Sequence, residues 1–130
     1  MGPISSPTIE GLYAIVDNSY CPALDHVTLA RQFLAGGARL LQLRIKGIRD
    51  RKYFRRVAAG IMALKAEFPF TFIVNDDVRL ALELGADGVH GGSDDMSIAR
   101  ARACLGPQAL VGYSAHSLAE VQWAEQEGAN

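Results

Sequence analysis

Short apolar runs alternate along this chain with longer segments whose apolar positions recur at helical spacing. "LYAIV" (Leu12 to Val16), "RLLQLR", "TFIV", "DGVH" and "ALVGY" read as buried strands. The segments between them predict helices with identifiable ends. Asp25 can cap a helix through "HVTLARQFLA" that stops at Gly36-Gly37, and Asp50 can open a longer one, "RKYFRRVAAGIMALKAEF", closed by Pro69. "VRLALELG" and "SIARARACLG" each end at glycine, and Ser117 with Glu120 forms a capping-box pattern ahead of "LAEVQWAEQEG". Strands alternating with helices of this length imply right-handed crossovers and a parallel sheet, hence an α/β fold.

A weak repeat runs through the pattern. Gly37-Ala38 precedes "RLLQL", Gly85-Ala86 precedes "DGVH", and Gly128-Ala129 stands where another strand would follow. Five βα units are therefore expected, with a sixth announced at Asn130. The opening "MGPISSPTIE", small, polar and proline-containing, predicts a disordered arm over residues 1–10. Residues 11–130 contain no linker, low-complexity tract or charge block and predict one domain.

Composition removes several classes of function. A formal net charge of −1 gives no basis for binding nucleic acid or an anionic membrane surface. No apolar run approaches the roughly 18 residues of a membrane span, and the start lacks a secretory signal pattern. The cysteines, Cys21 and Cys104, are far apart and fit no metal spacing, so a reducing cytoplasm is expected. Cys104, on a helix face, is expected to be a buried inert thiol, and His26 a surface residue at the far end of the sheet.

The candidate chemistry lies at the carboxyl ends of the strands, where parallel α/β folds place their sites. Asp17 and Asn18 follow the first strand. Gln42, Arg44 and Lys46 follow period-2 spacing, which points them to one face while Leu43 and Ile45 turn to the other. Asn75, Asp76 and Asp77 end the third strand, His90 then Asp94 and Asp95 the fourth, and Ser114 with His116 the fifth. The basic stripe fits either a structural ion pair or an oxyanion site, in which Arg supplies a fork and Lys a point charge. Each aspartate pair needs only one member to cap the following helix. The spare carboxylates, Asp76 and Asp95, would then present hard oxygen ligands suited to magnesium, which takes one or two carboxylates together with substrate phosphates.

"GLYAIVD", "GGARLLQLRIKG", "FIVNDDVRLALELGADGVHGG", "DDM" and "VGYSAHSLAEVQWAEQEGA" together resemble the thiamine phosphate synthase family, whose fold is the (β/α)8 TIM barrel. The resemblance covers the first five of eight βα units and implies the N-terminal portion of such a barrel. It implies a transferase of thiamine biosynthesis that joins hydroxymethylpyrimidine diphosphate to thiazole phosphate and releases pyrophosphate. By position, Gln42, Arg44, Lys46 and Asn75 would hold the pyrimidine diphosphate, Asp76 and Asp95 would bind magnesium, and Ser114 would contact the pyrimidine ring. Lys46 and Ser114 are the candidates for a catalytic part. The implied chemistry is dissociative: pyrophosphate departs and the thiazole nitrogen captures the pyrimidine-methyl cation.

The chain departs from the family at Ile45, where an acidic residue is usual, and at "GGSDD", where Gly91 and Ser93 replace a larger apolar residue and a glutamine. The loops that would bind thiazole phosphate belong to units beyond this sequence. A related barrel, the thiazole tautomerase, shares the "SAHS" turn, and His116 would be its proton-transfer residue. A barrel fragment that only binds phosphate or self-associates is the non-enzyme alternative. The edges of an open sheet predict a homodimer or higher assembly.

Overall fold

The computed structural model describes residues 7–47 and 50–130. Residues 1–6 of the expected arm lie outside the described residues, while Thr8 carries a carbonyl that accepts the Thr71 hydroxyl at 3.1 Å. Five strands are present, β1 (Tyr13–Val16), β2 (Leu40–Leu43), β3 (Thr71–Asn75), β4 (Gly88–Gly91) and β5 (Leu110–Tyr113). They alternate with α1 (His26–Ala35), α2 (Arg51–Ala63), α3 (Val78–Leu84), α4 (Ile98–Leu105) and α5 (Leu118–Glu127). The sheet is parallel throughout and its spatial order is the sequence order, β1-β2-β3-β4-β5.

Each helix begins where a side chain satisfies an otherwise orphaned amide. Asp25 accepts from Thr28 N, Asp50 from Lys52 N, Asp77 from Leu80 N, Ser97 from Arg100 N and Ser117 from Glu120 N. The capping box ahead of α5 is shifted: Glu120 accepts the amide of His116 at 2.6 Å, one residue before the cap. The long helix expected up to Pro69 is α through Ala63 and continues as a 3-10 turn over Leu64–Ala66.

All five helices cover one face of the sheet. Val16, Leu41, Leu43, Phe72, Val74, Val89 and Val111 point outward into a single core with Leu34, Ile61, Leu80, Ile98 and Ala124 from the helices. The opposite face carries Leu40, Ile73 and Leu110 as a separate small cluster, and among the described residues no helix packs against it. Consecutive strand order with one-sided helices is the arrangement of a barrel wall, not of a doubly wound sheet. Its concave face leaves Tyr13 and Ile15 38% and 46% exposed. The expected free edges are β1 and β5, and at β5 the backbone and side chain of Asn130 bond the Val111 carbonyl and amide at 2.8 and 2.9 Å.

Two expectations are corrected. Cys104 is exposed, because the buried stripe of α4 runs through Ile98 and Ala101 and turns it outward. His26 is only 2% exposed and follows the β1–α1 loop, at the carboxyl end of the sheet, where the first turn of α1 packs it inward.

Candidate active site at the carboxyl ends of the strands

Asp76 and Asp77 have separate roles. Asp77 caps α3 through its Oδ1, 2.8 Å from Leu80 N, and its Oδ2 pairs with Arg51 at 2.9 Å. Asp76 sits at φ 67°, the one non-glycine residue in the left-handed region among the described residues. Aspartate tolerates that region better than most residues, and such strain concentrates at functional positions. The conformation turns the chain out of β3 and leaves the Asp76 carboxylate free of any capping duty. In the same way Ser97 caps α4, so neither Asp94 nor Asp95 does.

The two spare carboxyls come together. Asp95 Oδ2 accepts the Gly92 amide at 2.7 Å, which folds the β4–α4 loop back over the strand end. Asp76 and Asp95 share the mouth of a crevice with Val78, Val89, Ile98 and Val111. Desolvation against that lining pushes the Asp95 carboxyl above the ordinary range; its hydrogen bond to Asp76 and that neighbour's charge push the same way, against the Gly92 amide and the Lys46 charge. Two carboxyls in hydrogen-bonding contact repel unless a proton or a cation lies between them, so the pair suits a hard divalent cation. Among the described residues no group of three or more His, Cys, Asp or Glu could hold a metal ion. Two carboxylates are donors enough for magnesium, which completes its shell with water and phosphate oxygens.

Of the two basic residues, Lys46 faces this pair and Arg44 faces Asp17. Lys46 Nζ lies 2.6 Å from Asp76 Oδ2, with half of its side chain exposed. Arg44 extends the β2 ladder through its amide to Val16 O and places Nη1 2.6 Å from Asp17 Oδ2. Asp17 is itself fixed by the Ser19 amide at 3.0 Å, and that hydrogen bond, with Arg44, holds its carboxyl below the usual range. Partly exposed ion pairs like these contribute little to stability, so their role is to aim the cations. Ile45 packs into the outer core, as the alternation requires.

The inward face continues the site. Gln42 is 4% exposed; its Oε1 accepts from Asn75 Nδ2 at 2.8 Å and its Nε2 donates to the Tyr13 hydroxyl at 3.0 Å. Burial raises the Tyr13 phenol above its ordinary value, with the Gln42 bond opposing. His90 Nε2 and Ser114 Oγ lie 2.8 Å apart. Burial pulls the His90 imidazole below its ordinary pKa, against the pull of Asp76 and Asp95. Gln42, Arg44, Lys46, Asn75, Asp76, Asp95 and Ser114 therefore occupy the strand ends of one face, interleaved with Tyr13, Asp17 and His90.

Tyr13 was not expected here from the sequence, and Asp17 was placed at the strand ends without a role. Tyr13 is the inward polar group of β1 by period-2 spacing, and that alternation is the signal that could have found it. His116 stands apart. It is exposed, and among the described residues no side chain hydrogen-bonds its imidazole.

The family model described as thiamine monophosphate synthase matches residues 12–130. A thiamine-phosphate synthase of Desulfitobacterium hafniense is 40% identical over 119 residues, covering 92% of this chain and 57% of its own length. That of Bacillus licheniformis is 47% identical over 134 residues, covering all of this chain and 59% of its own. The solved thiamine phosphate pyrophosphorylase from Pyrococcus furiosus superposes with a TM-score of 0.79 at 32% identity, over 90% of this chain and 56% of that one. The chain thus spans little more than half the length of the curated relatives it matches. With the family model running over nearly the whole described chain, this protein belongs to the thiamine monophosphate synthase family.

Proposed function

We propose that this chain supplies the diphosphate-binding and metal-binding part of a thiamine-phosphate synthase, a transferase that couples hydroxymethylpyrimidine diphosphate to thiazole phosphate. The observation that carries the proposal is the meeting of Asp76 and Asp95, both released from helix capping, beside Lys46, with Arg44, two residues earlier on the same stripe, held by Asp17. Two carboxylates alone would repel a diphosphate, and two cations alone would not need carboxylates. Together they suit a magnesium diphosphate.

Asp76 and Asp95 would hold the magnesium, which when bound neutralises charge on the departing pyrophosphate. Arg44 would grip phosphate oxygens with its planar fork and Lys46 would add a mobile point charge, both stabilising the leaving group as its negative charge develops. Asn75, Gln42 and Ser114 would fix the pyrimidine over the apolar floor of Leu40, Ile73 and Leu110, so that its exocyclic carbon faces the incoming thiazole nitrogen. The His116 imidazole, for which no hydrogen bond is seen among the described residues, gives no support to the tautomerase alternative.

On the same reading the substrates would be small molecules and the enzyme would work in the cytoplasm. Among the described residues no helix is long and apolar enough to cross a membrane. The exposed Tyr13 and Ile15 on the concave face favour self-association of this chain into a dimer or higher assembly. The chain alone is expected to bind the pyrimidine diphosphate without turning it over, so the direct test is pyrophosphate release, with both substrates and magnesium, from the chain completed with the last three βα units of a matching relative. Release that requires magnesium and both substrates supports the synthase reading. Proton exchange on a thiazole carboxylate without pyrophosphate release would replace it with the tautomerase.

A further inference from the structure

The polar groups on the concave face form a belt at the level of the strand ends. Asn75 is in register with His90, and His90 with Gly112, so these positions lie side by side across β3, β4 and β5. Beneath them Leu40, Ile73 and Leu110 make an apolar layer. The His90 ring reaches sideways over β5. A Cβ built on Gly112 would fall 2.4 Å from His90 Nδ1, 3.2 Å from Cγ and 3.3 Å from Cε1. The ring therefore occupies the space that a side chain at position 112 would need. From there its Nε2 meets Ser114 Oγ at 2.8 Å.

Ser114 itself is exposed and lies just past the end of β5. Its amide donates to Gly91 O at 3.0 Å, which fixes its backbone. Nothing in that bond fixes its hydroxyl, which can rotate to suit any partner. His90 is the group that does so.

We infer that His90 is a positioning residue for Ser114, with Gly112 kept free of a side chain to seat the imidazole, and that this pair governs recognition of the pyrimidine ring and not of the diphosphate. The inference rests on the proposed function of the site. A flat heterocycle offers apolar faces to the Leu40–Ile73–Leu110 floor and ring nitrogens to a hydroxyl held at a set angle. A bare pyrophosphate uses neither, and engages Arg44, Lys46 and the carboxylate-bound cation instead.

The test is calorimetric titration of the full chain, at fixed magnesium, with hydroxymethylpyrimidine diphosphate and with inorganic pyrophosphate. His90→Leu removes the hydrogen bond. Gly112→Ala displaces the ring without altering either partner, and His90→Gln keeps a polar group near the Nε2 position. His90→Leu and Gly112→Ala are each expected to weaken the pyrimidine compound about tenfold and pyrophosphate less than about twofold. His90→Gln should recover most of the loss. Adding Ser114→Ala to His90→Leu should cost little more, because both remove one interaction. Unchanged affinity for the pyrimidine compound in His90→Leu, equal loss of both ligands, or full additivity with Ser114→Ala would each overturn the inference while leaving the proposed function standing. Wild-type chain that binds neither ligand would overturn both.

Discussion

Lys46 and Asp76 meet at 2.6 Å although they leave different strands, and Asp76 reaches that contact from a left-handed backbone at φ 67°. Lys46 thus sits against a carboxylate that the proposed function assigns to a cation. The ammonium and the metal compete for the same oxygen, so removing Lys46 should free it. We predict that Lys46→Met binds manganese, a spectroscopic stand-in for magnesium, several-fold more tightly than wild type, while losing about tenfold in affinity for pyrophosphate. Electron paramagnetic titration of free manganese measures the first and calorimetry the second. Weaker manganese binding would mean that Lys46 supports the metal instead of substituting for it.

Arg44 and Lys46 are not equivalent cations. Arg44→Lys keeps the charge and loses the fork, so diphosphate affinity should fall about tenfold, and Arg44→Ala should lose about tenfold more. Equal affinity across wild type and both variants, read by calorimetry, would remove Arg44 from the site.

The Asp95 carboxyl titrates above its ordinary range because desolvation and Asp76 disfavour its charge. A raised pKa in the fold means that the folded chain holds a proton that the unfolded chain has released. Stability of the metal-free chain should therefore fall as pH rises from about 4 through the raised value. Asp95→Asn should remove that component, and saturating magnesium should remove it in wild type. Thermal melts of both proteins across this range provide the check. Identical pH profiles for wild type and Asp95→Asn would show that the two carboxyls do not interact.

His26 titrates in the opposite sense. Burial holds its imidazole below the ordinary value, against the pull of Asp17 and Asp25, and its buried Nδ1 has no hydrogen-bond partner among the described residues. The unfolded chain takes up the proton first, so the stability contributed by neutral His26 is present above about pH 6.5 and lost progressively below it. His26→Gln should flatten the melting temperature between about pH 5 and 7 relative to wild type. A wild-type profile with no slope in that interval would contradict the assignment.

The elements were legible because local chemistry and tertiary packing agree. Asp25, Asp50 and Ser117 cap where their spacing places them, and Gly85 and Gly128 end α3 and α5 in the left-handed conformation. Period-2 alternation placed Gln42, Arg44 and Lys46 on one side of Ile45, and the structure keeps that division. Which of Asp76 and Asp77 caps was not legible, because either could reach the amides, and the expectation that Asp94 or Asp95 caps α4 fails. The choice depends on the turn at Asp76 and on Ser97, which competes for the start of α4. His26 was misplaced for a related reason: a polar residue at a helix start is ordinarily solvated, and only the packing of the β1–α1 loop buries it. Tyr13 was missed and Asp17 left without a role because their roles exist only through partners on β2 that lie far away in sequence.

The central claim is that Asp76 and Asp95 hold one cation on which diphosphate binding depends. Calorimetric titration of hydroxymethylpyrimidine diphosphate, with and without magnesium, into wild type, Asp76→Asn and Asp95→Asn tests it most directly. The account predicts that magnesium tightens binding by wild type at least about tenfold, and that either substitution abolishes most of that gain. The same affinity with and without magnesium in wild type, or full magnesium dependence in Asp76→Asn and Asp95→Asn alike, would contradict it.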